Sequence, residues 1–466
     1  MFQFRIPMPT SEGLLLAPRP ADPDEVLMDP QTYRDLEVFE SEGGAPSLYD
    51  LCNQTRTLGG GRVLKARMRK PWNKAPRIRG VQESIGFIRA NRDSFRHLPT
   101  DVIAIEVERY LDGALPLVKG GNRFEFLIET LEIRFGDFRT YSRIARGVQR
   151  TSRMVRLLGM VLDAAGSAAT QVQGDLGRLL TELQTLIEGP SLAPVANEDR
   201  WEQSTWQVMQ ADRMFRLRER GAVERMLELI YEVDALVAMA DAMEKYGFVM
   251  PTLESGPLHV VAEGIIHPFM TDPVANPLQL DPAQHMLFLT GPNMAGKTTY
   301  LRASGLAIYL AHLGMGVPAR SFRFSPCECL FSSITVTDSV RSGISFFRAE
   351  ALRVKAIAQA LMDGLSVIAI MDEPFKGTNV KDALDASQAV FERFASRPGS
   401  LFMISSHLIE LGDDLLASGQ VDCQHFEASE HEDQLRFEYV LRPGVSSQRL
   451  GMRVLREEGI FDLLDE

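Results

Sequence analysis

The stretch Gly291-Pro292-Asn293-Met294-Ala295-Gly296-Lys297-Thr298 constrains this chain more than any other. It fits G-x-x-x-x-G-K-[ST], and its flanks carry as much meaning as its letters. Met286–Thr290, before it, reads as a buried strand, and a helical pattern opens at about Lys297. Strand, glycine-rich turn and helix in that order make a loop whose backbone N–H groups point inward at a phosphate. Lys297 neutralises the β- and γ-oxygens, Thr298 offers a hydroxyl to Mg²⁺, and the helix N-terminus adds its dipole. These residues, with the adjoining Thr299, are the expected ATP site, with Mg²⁺ as cofactor.

The rest of such a site belongs at the ends of neighbouring strands. Val367–Met371 is an apolar run followed by Asp372-Glu373. Asp372 suits Mg²⁺ held through water, and Glu373 suits a base that orients or deprotonates the attacking water. An acidic pair after a strand is common as a plain loop start; the phosphate loop upstream gives this one its meaning. A third run, Leu401–Ser405, ends at Ser406-His407. His407 is then placed to sense the γ-phosphate, although a lone histidine is more often structural.

Texture divides the chain. Residues 1–27 hold Pro7, Pro9, Pro18, Pro20 and Pro23 and read as an extended arm. Residues 28–252 are mostly helical in pattern. Arg143–Ile187 and Trp201–Tyr246 carry apolar residues at helical spacing on either side of a break at Gly189–Pro194, which suggests an antiparallel helix pair. From residue 253 to 466, short β-rich runs at Leu258–Val261, Met286–Thr290, Leu330–Thr335, Val367–Met371 and Leu401–Ser405 alternate with helical segments, the signature of a largely parallel α/β sheet. No apolar run is long enough to cross a bilayer, and four cysteines do not make a disulfide framework. A reduced, cytoplasmic protein is expected.

The net charge is −12, yet nine basic residues and no acid lie between Arg56 and Arg79. Arg62, Lys65, Arg67, Arg69 and Lys70 are candidate contacts to DNA phosphates. The competing reading is a solvated face paired with the acids of residues 19–50, and the sequence leaves both open.

The phosphate loop TGPNMAGKTTYLR, Thr290–Arg302, resembles that of the MutS family of DNA mismatch repair ATPases, its Pro-Asn-Met insert being the specific part. Further elements of that family follow in order: Val317-Pro318-Ala319, GISFFRAE (Gly343–Glu350), DEPFKGTN (Asp372–Asn379), SHLIEL (Ser406–Leu411), and Pro443-Gly444 before Gly451. The resemblance implies a helical core and lever region followed by a P-loop, ABC-type, doubly wound α/β ATPase domain. It implies a homodimer in which Ser345 contacts the ATP of the second subunit and Asn293 the γ-phosphate of its own.

The departures matter. Ala295 replaces a glycine, and Pro374-Phe375-Lys376 replaces Ile-Gly-Arg. Pro273 stands where an adenine-stacking phenylalanine is usual, with Phe269 as a substitute left undecided. Counterparts of the family's mismatch-reading, connector and clamp domains are not expected. The expected function is ATP hydrolysis driving dimer closure and lever movement in a DNA-associated protein that binds without sequence specificity. The alternative is an ATP-dependent switch acting on a protein partner.

Overall fold

The structure, a computed structural model, describes residues 22–169, 172, 174–197, 204–335, 346–408, 410–417, 419–431, 434–446, 448, 451–457 and 459–465. The expected arm therefore lies largely outside the described residues. The chain forms two compact units that interleave in sequence. One comprises residues up to Asp50, Lys70–Ile78 and Lys245–Glu466, and the other Leu51–Arg69 and Arg79–Glu244. No helix among the described residues is long and apolar enough to cross a membrane.

The first unit is mixed α/β. Its strands are β1 (Thr252–Leu253), β2 (Val260–Ile265), β3 (Asn276–Leu280), β4 (Met286–Thr290), β5 (Ser321–Phe324), β6 (Cys329–Ser333), β7 (Val367–Asp372), β8 (Leu401–Ser405), β9 (Val421–His431) and β10 (Gln434–Pro443). Six form a sheet in the order β10-β9-β4-β8-β7-β6, parallel except for the β9–β10 hairpin. The sequence runs at β4, β6, β7 and β8 become strands within a residue or two of their expected ends. β4, β6 and β8 are buried at every position, the mark of strands covered on both faces, and this explains their unbroken apolar sequences. Phe288, Phe391, Phe394 and Phe402 fill one side, with the Phe394 and Phe402 rings stacked at 4.6 Å.

The remaining strands make a four-stranded sheet, β1-β5-β2-β3, mostly antiparallel. Of these only β2 had a sequence signal, because β3 and β5 bury alternate residues and are short. Residues 24–37 also belong to this unit. Leu27 exchanges backbone hydrogen bonds beside β6, with Glu328 O and Leu330 N. Asp29 pairs with Arg353, and Asp35 accepts the backbone N–H groups of Ile334 and Thr335.

The second unit is helical. The expected helical stretch 143–187 is two helices, Phe138–Ala169 and Gly174–Ile187; Gly166 (φ 54°) kinks the first near its end, and Gly174 (φ 81°) opens the second in left-handed backbone. A Cβ on Gly174 would lie 2.4 Å from Gly80 O, so backbone contact fixes that glycine as well. The later pattern is Thr205–Arg213 and Arg220–Lys245, joined by a π-turn over Met214–Arg218. The turn seats Arg216, whose guanidinium donates to Asp212, at 2.7 and 2.5 Å, and to the carbonyls of Leu115 and Pro116. The Tyr110 hydroxyl donates to the same carboxylate at 2.6 Å. Asp212 is fully buried, so Asp212→Ala strands a buried cation. The variant should lose about 3–5 kcal/mol, the usual consequence of breaking a buried pair. Urea titration of the helical signal checks this, and a loss below ~1 kcal/mol would contradict it.

Candidate functional site

The phosphate loop joins β4 to the helix Lys297–His312. Gly291 (φ 137°) and Gly296 (φ 101°) occupy backbone that side chains avoid, and a Cβ on Gly291 would lie 2.6 Å from Phe426 O. Lys297 is buried; its ammonium donates to the carbonyls of Gly291 (2.9 Å) and Pro292 (3.2 Å) and lies 3.9 Å from Glu373. Burial lowers its pKa, an effect that Glu373 and Asp372 partly offset.

Parallel register gathers the remaining groups. Ser405 at the end of β8 pairs with Leu289 of β4 on one side and Asp372 of β7 on the other. The strand ends that carry the loop, the acidic pair and His407 therefore share one edge of the sheet. Thr298 donates to Asp372 at 2.5 Å. The Ser405 hydroxyl donates to the other oxygen of Asp372 and accepts from Glu373 N at 3.2 Å. His407 Nε2 lies 2.5 Å from the Glu373 carboxylate. Burial alone would raise the Glu373 pKa, but the His407 contact, with Lys297 and Lys376 nearby, outweighs it and leaves the carboxyl below its ordinary value. Glu373 is held ionised beside a cation and an imidazole, an arrangement suited to proton handling.

Next to the loop is a cavity of about 340 Å³. Besides loop residues it is lined by Ile265, His267, Met270, Pro273, Val274, Asn276, Glu373 and Tyr439. Phe269 is not among the lining residues; its ring packs on His267 at 5.6 Å. Burial, helped by Arg302, pulls the His267 pKa down to about 4, so the ring is neutral at pH 7, and its Nδ1 is buried without a hydrogen-bond partner. Tyr439 arrives from β10, where the ladder shifts register between Phe437 and Leu441. The Asn276 side chain clamps that bulge, donating to Tyr439 O (2.9 Å) and accepting from Leu441 N (2.8 Å).

Sequence reasoning missed Ser405, His267 and Tyr439. Ser405 is readable only once two strands flank β8, and Tyr439 lies far downstream in a polar strand without a motif. Glu350 was read only as part of a segment. It is buried, its pKa is raised by desolvation, and it accepts from Gly377 N at 3.2 Å. Ser345 lies outside the described residues.

The basic cluster is divided between the two units, and much of it has acidic partners. Lys70 pairs with Glu25 (3.3 Å), Arg77 with Asp24 (3.4 Å), Arg67 with Asp175 (2.8 Å), and Arg62 approaches Glu108 at 3.9 Å. Lys65 and Arg69 also have interaction partners.

Residues 287–462 match the family model of MutS domain V. The match begins inside β4 and takes in the phosphate loop, Asp372-Glu373, His407 and the β9–β10 hairpin.

The Glu373–His407 contact has a titration signature. With His407 present the ionised carboxylate is favoured and is lost only as pH falls through its lowered pKa. In His407→Ala burial loses its main counterweight, so Glu373 should take up its proton at a higher pH than in the parent. Carboxyl ¹³C NMR across an acid titration reads this directly. An unmoved titration would mean that His407 does not set the charge of Glu373.

Proposed function

The chain belongs to the MutS family, residues 287–462 being domain V, that family's ATPase domain, and from this premise we infer that it binds ATP with Mg²⁺ and hydrolyses it to ADP and phosphate. The observation that carries the reading is the convergence of Lys297, Thr298, Asp372, Glu373 and His407 at the ends of three adjacent parallel strands. Lys297 and the loop N–H groups take the phosphates. Glu373 orients and deprotonates the attacking water, and His407 holds its carboxylate ionised. Thr298 and Asp372 present two hard oxygen donors 2.5 Å apart, a set that fits Mg²⁺ completed by water and phosphate oxygens. Bound there, Mg²⁺ supplies neutralisation of phosphate charge.

The cavity beside the loop takes the base. Tyr439 offers the stacking ring in place of the phenylalanine that Pro273 displaces, and His267 Nδ1 offers a polar contact. The fold reading is the doubly wound, ABC-type P-loop domain, in which two subunits close around two ATPs. Ser345 of each then completes the site of the other. Closure in the ATP state moves the helical lever, and the protein acts in association with DNA, in mismatch repair or a related process, with phosphate contacts that carry no sequence preference.

A second reading, a switch acting on a protein partner, draws on the ion pairs of Lys70, Arg67 and Arg77. A candidate DNA contact that is already neutralised by Glu25 or Asp175 must give up that partner before meeting a phosphate.

Three variants test the site. Lys297→Ala should abolish binding of a fluorescent ATP analogue while leaving the circular dichroism spectrum unchanged. Glu373→Gln should keep binding and lose turnover by about 10²-fold or more. Mixing the inactive Lys297→Ala and Ser345→Arg proteins should restore part of the activity if subunits exchange, since one composite site per heterodimer is then intact. Parental turnover in Glu373→Gln would remove this carboxylate from the mechanism. Full activity in a strictly monomeric parent, judged by light scattering, would remove the dimer.

A further inference from the structure

The helix Phe138–Ala169 carries an unusual charge distribution. Arg139, Arg143, Arg146, Arg150, Arg153 and Arg156 recur at three- and four-residue steps, and no Asp or Glu lies between Phe138 and Leu162. That spacing stacks them along one side of the helix. The opposite side is buried through Ile144, Val148, Thr151, Met154, Val155 and Leu158. Arg150 pairs with Glu106 of the helix Asp101–Asp112, Arg156 has a partner, and Arg139 lies near the helix cap Asp137. Arg143, Arg146 and Arg153 are exposed and have no ion pair among the described residues.

Two physical effects oppose such a row. Like charges three or four residues apart destabilise a helix. Cations in the first turns also face the positive end of the helix dipole, where acids are favoured. In a chain of net charge −12, three exposed arginines of this row without an ion pair among the described residues point to an external polyanion.

We propose that Arg143, Arg146 and Arg153 form a binding ridge for the sugar-phosphate backbone of duplex DNA. The idea rests on the DNA-associated reading above but assigns the contact to a different place from the cluster at residues 62–70. Ten residues separate Arg143 from Arg153, a helical rise of about 15 Å. One strand of a duplex carries a phosphate for roughly every 3.4 Å of axis, so the ridge spans about four phosphates. An exposed helix face suits a stiff duplex better than a single strand, which proteins hold in a groove with bases stacked on aromatic rings. No base edge is read by such contacts, so binding follows charge and salt alone.

The test is fluorescence anisotropy of the full chain with a labelled duplex across a salt series. The comparison is with Arg143→Gln/Arg146→Gln/Arg153→Gln and with Arg62→Gln/Lys65→Gln/Lys70→Gln. The ridge variant should flatten the log–log salt slope by about one unit per arginine removed and weaken binding on the order of 10²-fold at 0.1 M salt. The second variant should bind much as the parent does. Basal ATP turnover without DNA should stay at the parental value. The thermal midpoint of the ridge variant should hold or rise, because like-charge repulsion is relieved; a merely structural role would lower it. Duplex binding with an unchanged slope in the ridge variant would overturn the ridge while leaving DNA association standing. No duplex binding by the parent would overturn both. Tighter binding of a single strand of equal length, or displacement of the duplex by polyglutamate at equal charge, would overturn the assignment to duplex DNA.

Discussion

The parallel register of β7, β8 and β4 is the constraint on which the rest of this site depends. Parallel strands finish at the same edge, so the residue after each strand meets the residue after its neighbour. Ser405 faces both Leu289 and Asp372 across its two ladders. A one-residue slip of β8 would turn its side chains to the other face. It would also remove the Ser405 hydroxyl from Asp372 and displace His407 from Glu373. The apolar runs of the central strands matter for chemistry because burial on both faces fixes this register.

Much of this was legible in the sequence, and the reasons are local. Phe288 and Leu289 before Gly291, Ile370 and Met371 before Asp372, and Ile404 before Ser406-His407 announce buried strands ending in polar groups. The phosphate loop needs its glycines for backbone geometry, so its letters are constrained. The cavity beside the loop was not legible, since it draws His267, Pro273 and Tyr439 from segments far apart in the chain. The packing of residues 24–37 beside β6 left no trace either. Its polar anchors, Asp29, Thr32 and Asp35, look like ordinary surface residues until Arg353 and Ser332 are brought to them. The arginine row was present in the letters all along, but its meaning depends on which face of the helix is buried.

Buried and exposed charge are handled differently. Around the phosphate loop three charged groups have opposite or polar partners within contact distance: Lys297 has carbonyls and Glu373, Asp372 has Thr298 and Ser405, and Glu373 has His407. Arg216 in the helical unit is treated in the same way, with Asp212 and two carbonyls. The exposed arginines at 143, 146 and 153 break this pattern, and they sit on a surface where water screens the penalty.

Backbone strain gathers around the cavity. Among the described residues the non-glycine positions with positive φ are Glu37, Met294, Glu373, Phe375 and Tyr439. Met294, Glu373 and Tyr439 line the cavity, and Phe375 follows Glu373 by two residues. Each such position costs on the order of 1–3 kcal/mol and persists only where surrounding contacts enforce it. The enforcing contacts are visible: Glu373 N donates to Ser405 O at 3.1 Å, and Asn276 grips the chain on both sides of Val440. Glu37, which lies away from the cavity, pairs at 3.1 Å with Arg302 of the phosphate-loop helix. The sheet and its neighbours thus hold the loop, the carboxylate and the tyrosine in backbone conformations they would not adopt alone. Because that geometry is set by folding, Glu373 is already directed at Lys297 and His407.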